Sequence, residues 1–270
     1  MSKNKLSRRR FLKNTTSQML NTVLILPSVI FSNPLFQVFN TKGKDDVVVL
    51  SKLFNDPKPL KWIFTGDSIT HGAKHTHGFR SYPEIFAERI RWEMKRTRDI
   101  IINTGISGNT TQNILDDFDW RIGQFNPDVV SLMIGTNDCE STRNISLDVF
   151  EYNLDTLVDL IRGLEAIPVF QTPNVIIKGM APDRQRLSEY VSVMKKVAEE
   201  KEVILIDNYT YWQHKIQHKG EAVIFKKWLN DPLHPNGEGH SEIARLMFKK
   251  LSIFDPGVPT CGAPYYEGVH

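Results

Sequence analysis

From residue 60 onward, short apolar runs alternate with longer stretches of helical periodicity. Residues 60–65, 100–103, 129–134, 167–171 and 203–206 are mainly apolar and lack polar alternation, the pattern of strands buried on both faces. Between them, residues 83–95, 112–122, 147–164, 183–201 and 241–251 have helical spacing. Ile85, Phe86, Ile90 and Met94 share one stripe; Val149, Phe150, Leu154, Leu157, Val158 and Ile161 share another. Strands alternating with helices predict parallel strands joined by crossover helices. The expected fold class is α/β: a three-layer α/β/α sandwich with a flavodoxin-like five-stranded parallel sheet, spanning residues 60–255. Residues 33–59 carry Pro34, Gly43, Pro57 and Pro59 around one apolar run at 47–50 and read as a tether. Residues 256–270 read as a C-terminal tail.

The 270 residues, 40% hydrophobic and 24% charged, suit a globular domain with a sizeable core. The net charge of +3 conceals an asymmetry. Lys3, Lys5, Arg8, Arg9, Arg10 and Lys13 lie in the first thirteen residues, which hold no acid; without them +3 becomes −3. The body is mildly acidic and offers no basic surface for nucleic acid. Ser7-Arg8-Arg9-Arg10-Phe11-Leu12-Lys13 resembles the twin-arginine export motif, and the apolar stretch at 19–31 is short and interrupted by Asn21 and Pro27. Residues 1–32 are therefore expected to be a twin-arginine-type signal, and the protein to be exported by a bacterium to the periplasm or beyond. No clean cleavage site follows, so a retained signal would tether the protein to the membrane. The two cysteines, Cys139 and Cys261, make no disulfide framework and are expected to be free. Nothing in the sequence specifies an oligomeric state.

The chemistry sits at the strand ends, where open parallel sheets bind ligands. Gly66-Asp67-Ser68-Ile69-Thr70 follows the first strand, Asn103-Thr104-Gly105-Ile106-Ser107-Gly108-Asn109 the second and Gly135-Thr136-Asn137-Asp138 the third. Near the end of the chain stands Asp231-Pro232-Leu233-His234-Pro235. A serine hydroxyl needs a base, and His234 is the candidate for Ser68. Asp231 can accept the Nδ1 proton of His234, orient its ring and stabilise the imidazolium. Gly108 can offer an unobstructed backbone N–H, Asn137 a side-chain amide and Ser68 its own N–H, together an oxyanion hole. Taken singly, each segment is also an ordinary turn.

In combination and order, the four segments resemble the SGNH (GDSL-type) hydrolases, with Ile69 where the family often has Leu. The likeness runs over residues 60–251. It implies ester hydrolysis, often of acetyl or short acyl groups, with catalytic Ser68, Asp231 and His234, an oxyanion hole from Ser68, Gly108 and Asn137, and neither metal nor organic cofactor. The α/β-hydrolase arrangement fits poorly: it wants Gly-x-Ser-x-Gly, whereas Thr70 holds the second glycine position, and its acid lies well upstream of its histidine.

Asp67 and Asp138 are expected to orient backbone amides. His71, His75 and His77 crowd the loop after Ser68, as solvent-facing or substrate-contacting imidazoles or, alternatively, as metal ligands. His214 and His218 are expected on a solvated helix face, and Trp212 and Trp228 to pack, with sugar stacking the alternative for either. The favoured reading is a secreted acetyl esterase acting on a saccharide. The alternatives are a lysophospholipase or thioesterase with a longer acyl pocket, a catalytically silent carbohydrate-binding protein, and a metal-dependent hydrolase.

Overall fold

The computed structural model describes residues 44–265. The expected signal and the first part of the expected tether lie outside them. Five strands form one all-parallel sheet: β1 (Lys61–Gly66), β2 (Ile100–Asn103), β3 (Val129–Met133), β4 (Ile167–Gln171) and β5 (Ile204–Ile206), in the order β2-β1-β3-β4-β5. This is the flavodoxin-like order, with its switch point between β1 and β3. Phe64 pairs with Asn103 on one side and Ser131 on the other, so the ends of β2, β1 and β3 stand side by side.

The helices are α1 (Lys44–Asn55), α2 (Ser68–His71), α3 (Tyr82–Glu88), α4 (Thr111–Asp116), α5 (Phe118–Arg121), α6 (Leu147–Gly163), α7 (Leu187–Glu200), α8 (Asn208–Lys219), α9 (Glu221–Trp228) and α10 (Gly237–Lys250). One layer contains α3 and α10, which pack on each other; the other contains α6 with α4 and α7. In the first layer Phe86 meets Trp62 at 4.7 Å and Phe64 at 5.0 Å between centroids. All three rings are buried, and aromatic contacts of this kind add to the burial of apolar area. In the second layer Phe150 meets Tyr190 at 5.1 Å.

The expected sandwich is borne out, with local differences. Residues 44–55, expected as tether, are helix α1. Val49 and Leu50 join the core, and Leu53 and Phe54 complete a stripe at helical spacing. Arg96 fixes the following segment by donating to the carbonyls of Phe54 (2.9 Å), Asp56 (2.7 Å) and Lys58 (2.9 Å). The helix expected at 83–95 begins with a Ser81–Glu84 capping box and changes to a π-helical turn at Arg89–Glu93. There Arg89 donates to the Ile253 carbonyl at 2.9 and 2.7 Å. The one expected at 112–122 is broken at Asp117 into α4 and α5. The start of the expected tail is docked: Thr260 and Cys261 are buried, and the Thr260 amide donates to Glu93 at 3.0 Å. Among the described residues no helix is long and apolar enough to cross a membrane.

Candidate active site

β1 ends at Gly66, Asp67 caps the short helix α2 by accepting from the Ile69 amide at 2.9 Å, and Ser68 opens that helix. A first-turn amide has no intrahelical acceptor, so the Ser68 N–H is available to a ligand. His234 comes from the turn before α10. Its Nε2 lies 2.8 Å from Ser68 Oγ, and its Nδ1 lies 2.8 and 2.9 Å from the two oxygens of Asp231. Asp231 Oδ1 also accepts from the amides of Leu233 and His234, both at 2.8 Å. Burial alone would push Asp231 up; those amides and the His234 ring overcome it and hold the carboxyl below its ordinary value. A standing carboxylate fixes the proton on Nδ1 and leaves the Nε2 lone pair to the serine.

The β2 and β3 loops are tied to this centre. The Asn103 side chain donates to the Thr70 carbonyl at 2.7 Å, the Ile106 amide to the Gly66 carbonyl at 3.1 Å, and Ser107 meets His71 at 3.1 Å. Gly108 follows with φ +81°, in the left-handed region that favours glycine. Among the described residues a side chain there would meet only Arg143 Nη2, at 3.8 Å, so backbone conformation and not space demands the glycine. Asn137 is buried, and its amide donates one hydrogen to the Asn109 carbonyl at 3.0 Å, leaving the second for an oxyanion.

Two arginines that sequence reasoning missed hold these loops. Arg121, fully buried, donates to the carbonyls of Gly66 (2.9 Å) and Thr104 (2.8 Å) and to Asn109 Oδ1 (2.6 Å). Arg184 donates to the Thr136 carbonyl at 3.1 Å and Asn137 Oδ1 at 3.4 Å, and pairs with Glu140 at 2.8 Å. It thereby turns the Asn137 oxygen away from where negative charge would develop.

Asp67 and Asp138 do hold amides: Asp138 Oδ1 accepts from the amide (2.8 Å) and hydroxyl (2.6 Å) of Thr111. Burial pushes Asp138 up to about 6 against those donors, and Asp67 up to about 7 against the Ile69 amide. The sign follows from linkage: a carboxyl raised in the folded state stabilises fully below its unfolded value of 3.8 and loses that contribution as pH rises to about 7. Asp67→Asn keeps an oxygen for the Ile69 amide and removes the titration. Between pH 5 and pH 8 the wild type should lose roughly 2–3 kcal/mol more unfolding free energy than the variant, measured by denaturant melts. Equal pH dependence of the two proteins would contradict this assignment.

The histidine loop is divided among three partners. His71 faces Ser107, His77 Nε2 bonds Asn230 Oδ1, and His75 lies on the Asp231–His234 pair. His75, Asp231 and His234 are close enough together to suggest a metal site. The two imidazoles, however, are parallel, 3.5 Å apart with 3° between planes. Their in-plane lone pairs do not converge, and one ion at about 2.0–2.1 Å from both would sit far out of the rings. Trp212 and Trp228 are buried and pack edge-on at 4.9 Å, which removes them as sugar platforms. His214 and His218 are exposed on α8, as expected. Cys139 and Cys261 are free and buried, and burial pushes the Cys139 thiol up to about 12.

Comparison with known proteins bears on the family and the fold. Residues 64–241 match the model of the GDSL-like Lipase/Acylhydrolase family. The acetylxylan esterase of Geobacillus stearothermophilus is 26% identical over 215 residues, covering 72% of this chain and 94% of that protein. An uncharacterised protein of Mycoplasma pneumoniae is 30% identical over 155 residues, covering 54% of this chain but only 17% of that much longer protein. Among solved structures, LAE5 from the metagenome of Lake Arreo, Spain, has a TM-score of 0.62 at 24% identity, covering 72% of this chain and 95% of that one, a likeness of fold. With four segments in family order, the matching fold and a family model spanning most of the chain, this protein belongs to the GDSL-like lipase/acylhydrolase family and is a carboxylic ester hydrolase.

Proposed function

We propose that the protein removes short acyl groups, acetyl foremost, from a saccharide alcohol through an acyl-enzyme on Ser68. The observation that carries this reading is the unbroken hydrogen-bonded chain Ser68–His234–Asp231, with links of 2.8 Å. His234 Nε2 takes the Oγ proton as Oγ bonds the acyl carbon. The carbonyl oxygen becomes an oxyanion held by the Ser68 and Gly108 N–H groups and the Asn137 amide. The ester C–O bond then breaks, and His234 returns the proton to the departing alcohol oxygen. Water repeats the sequence and releases the carboxylic acid. A purely carbohydrate-binding protein would have no use for Asp231 and His234 in register with a serine.

Two things support the acetyl–saccharide choice: the acetylxylan esterase related along nearly its whole length, and the polar loop at 71–80 beside Ser68. The test is a p-nitrophenyl ester series from acetate to octanoate, with acetylated xylo-oligosaccharides assayed by mass spectrometry. kcat/KM should be highest for acetate, and oligosaccharide peaks should lose mass one acetyl at a time. A maximum at octanoate would instead select the lysophospholipase or thioesterase reading.

A further inference from the structure

His75 is an unassigned histidine in contact with both the base and the acid of the site. Its ring lies face to face on His234, and its Nδ1 is 3.1 Å from Asp231 Oδ2, the oxygen that also takes His234 Nδ1 at 2.8 Å. One carboxylate oxygen thus lies close to both stacked imidazoles.

The loop that carries His75 is built to hold it there. Lys74 and His77 adopt the left-handed conformation, at φ 65° and 52°, which non-glycine residues adopt at a cost. Three contacts clamp the loop to the segment bearing Asp231 and His234. His75 stacks on His234, His77 bonds Asn230, and Phe79 packs on Gly237, where a Cβ would fall 2.6 Å from that of Phe79. Asn230, the residue before Asp231, keeps its oxygen on His77, and its amide nitrogen lies 3.4 Å from His75 Nδ1. An amide nitrogen can only donate, so His75 Nδ1 is the acceptor of that bond, and Asp231 Oδ2 approaches the same ring edge at 3.1 Å.

We propose that His75 is a positioning residue of the acyl-transfer triad, fixing the His234 ring plane by stacking face to face on it. The inference rests on the triad reading above. In acyl transfer His234 becomes an imidazolium, and the ring stacked 3.5 Å away must then be uncharged, because two parallel cations at that separation repel. The titratable groups around His75 are His234, Asp231, Lys74, His77 and His240. Burial first, then the charge on His234, hold His75 below its ordinary value, against the opposing pull of Asp231. His75 therefore stays neutral while the triad works, and its protonation in acid adds a second loss of activity to that of the base.

The experiment compares wild type with His75→Ala and His75→Phe, the latter keeping a stacking face without a titratable ring. Steady-state p-nitrophenyl acetate kinetics are read across pH. His75→Ala should lower kcat by about 10- to 100-fold with KM within about twofold, as expected for a base that is misplaced and not removed. His75→Phe should lose less. In wild type the acid limb of kcat/KM should steepen beyond a one-proton slope, and in both variants it should fall with a slope of one. Unchanged kcat in His75→Ala, or a loss confined to KM, would overturn the inference and make His75 a bystander or a substrate contact. Should His75→Ala fail to fold, an acid limb in His75→Phe identical to wild type overturns it. Ser68→Ala separates the two readings. If that variant is active the triad itself is wrong; if it is inactive while His75→Ala is fully active, only the role of His75 fails.

Discussion

Ser68→Ala is expected to lower kcat for p-nitrophenyl acetate by roughly 10⁴- to 10⁶-fold, leaving only the residual rate that an oxyanion hole and substrate binding support. The size of the loss follows from the geometry. Ser68 Oγ is the hydroxyl that His234 Nε2 meets, at 2.8 Å, and an alanine offers nothing to carry the acyl group. The change is also structurally mild. Ser68 is only partly buried, among the described residues its side chain bonds only His234, and the cap of α2 is made by Asp67. The melting temperature should therefore stay within a few degrees of wild type, so that lost activity reports chemistry and not unfolding. A Ser68→Ala protein retaining a tenth of the wild-type rate would require another nucleophile.

Asp231→Asn should cost about 10⁴-fold in kcat with the fold intact. The asparagine oxygen can still accept from the Leu233 and His234 amides, which Asp231 Oδ1 now holds at 2.8 Å. Its nitrogen then faces His234 Nδ1, where the carboxylate Oδ2 stood at 2.8 Å. An amide donor there stabilises the tautomer with the proton on Nε2, which points at Ser68 and cannot take its proton. Asp231→Asn should accordingly be at least as impaired as Asp231→Ala despite its closer shape. Comparing kcat of the two variants checks this, and near-wild-type kcat in either would remove Asp231 from the triad.

The sheet and the four site segments were legible because their signals are local. A buried parallel strand declares itself in five or so consecutive apolar residues, and Asp231 and His234 lie within one proline-stiffened turn. The strand order then explains how Ser68, Gly108 and Asn137, far apart in the chain, follow neighbouring strands. What stayed hidden depends on contacts between distant segments. Arg121 and Arg184 act largely through carbonyls of loops remote in sequence, and a lone arginine in a polar stretch carries no mark of that. His75 could be noted as one of three crowded histidines, but its stacking on His234 joins segments far apart in the chain, which no local pattern shows. Helix α1 was missed for a different reason: Pro34, Gly43, Pro57 and Pro59 suggest a tether, while Val49, Leu50, Leu53 and Phe54 already carry a helical stripe. The break at Asp117 is invisible in a periodicity that continues across it.

The central claim, that Ser68 is the acyl-accepting nucleophile activated by His234, is tested most directly by intact-protein mass spectrometry after treatment with a fluorophosphonate. The folded wild type should gain a single adduct that peptide mapping places on Ser68, and Ser68→Ala should gain none. A folded wild type that stays unlabelled, or an adduct that persists in Ser68→Ala, would contradict it.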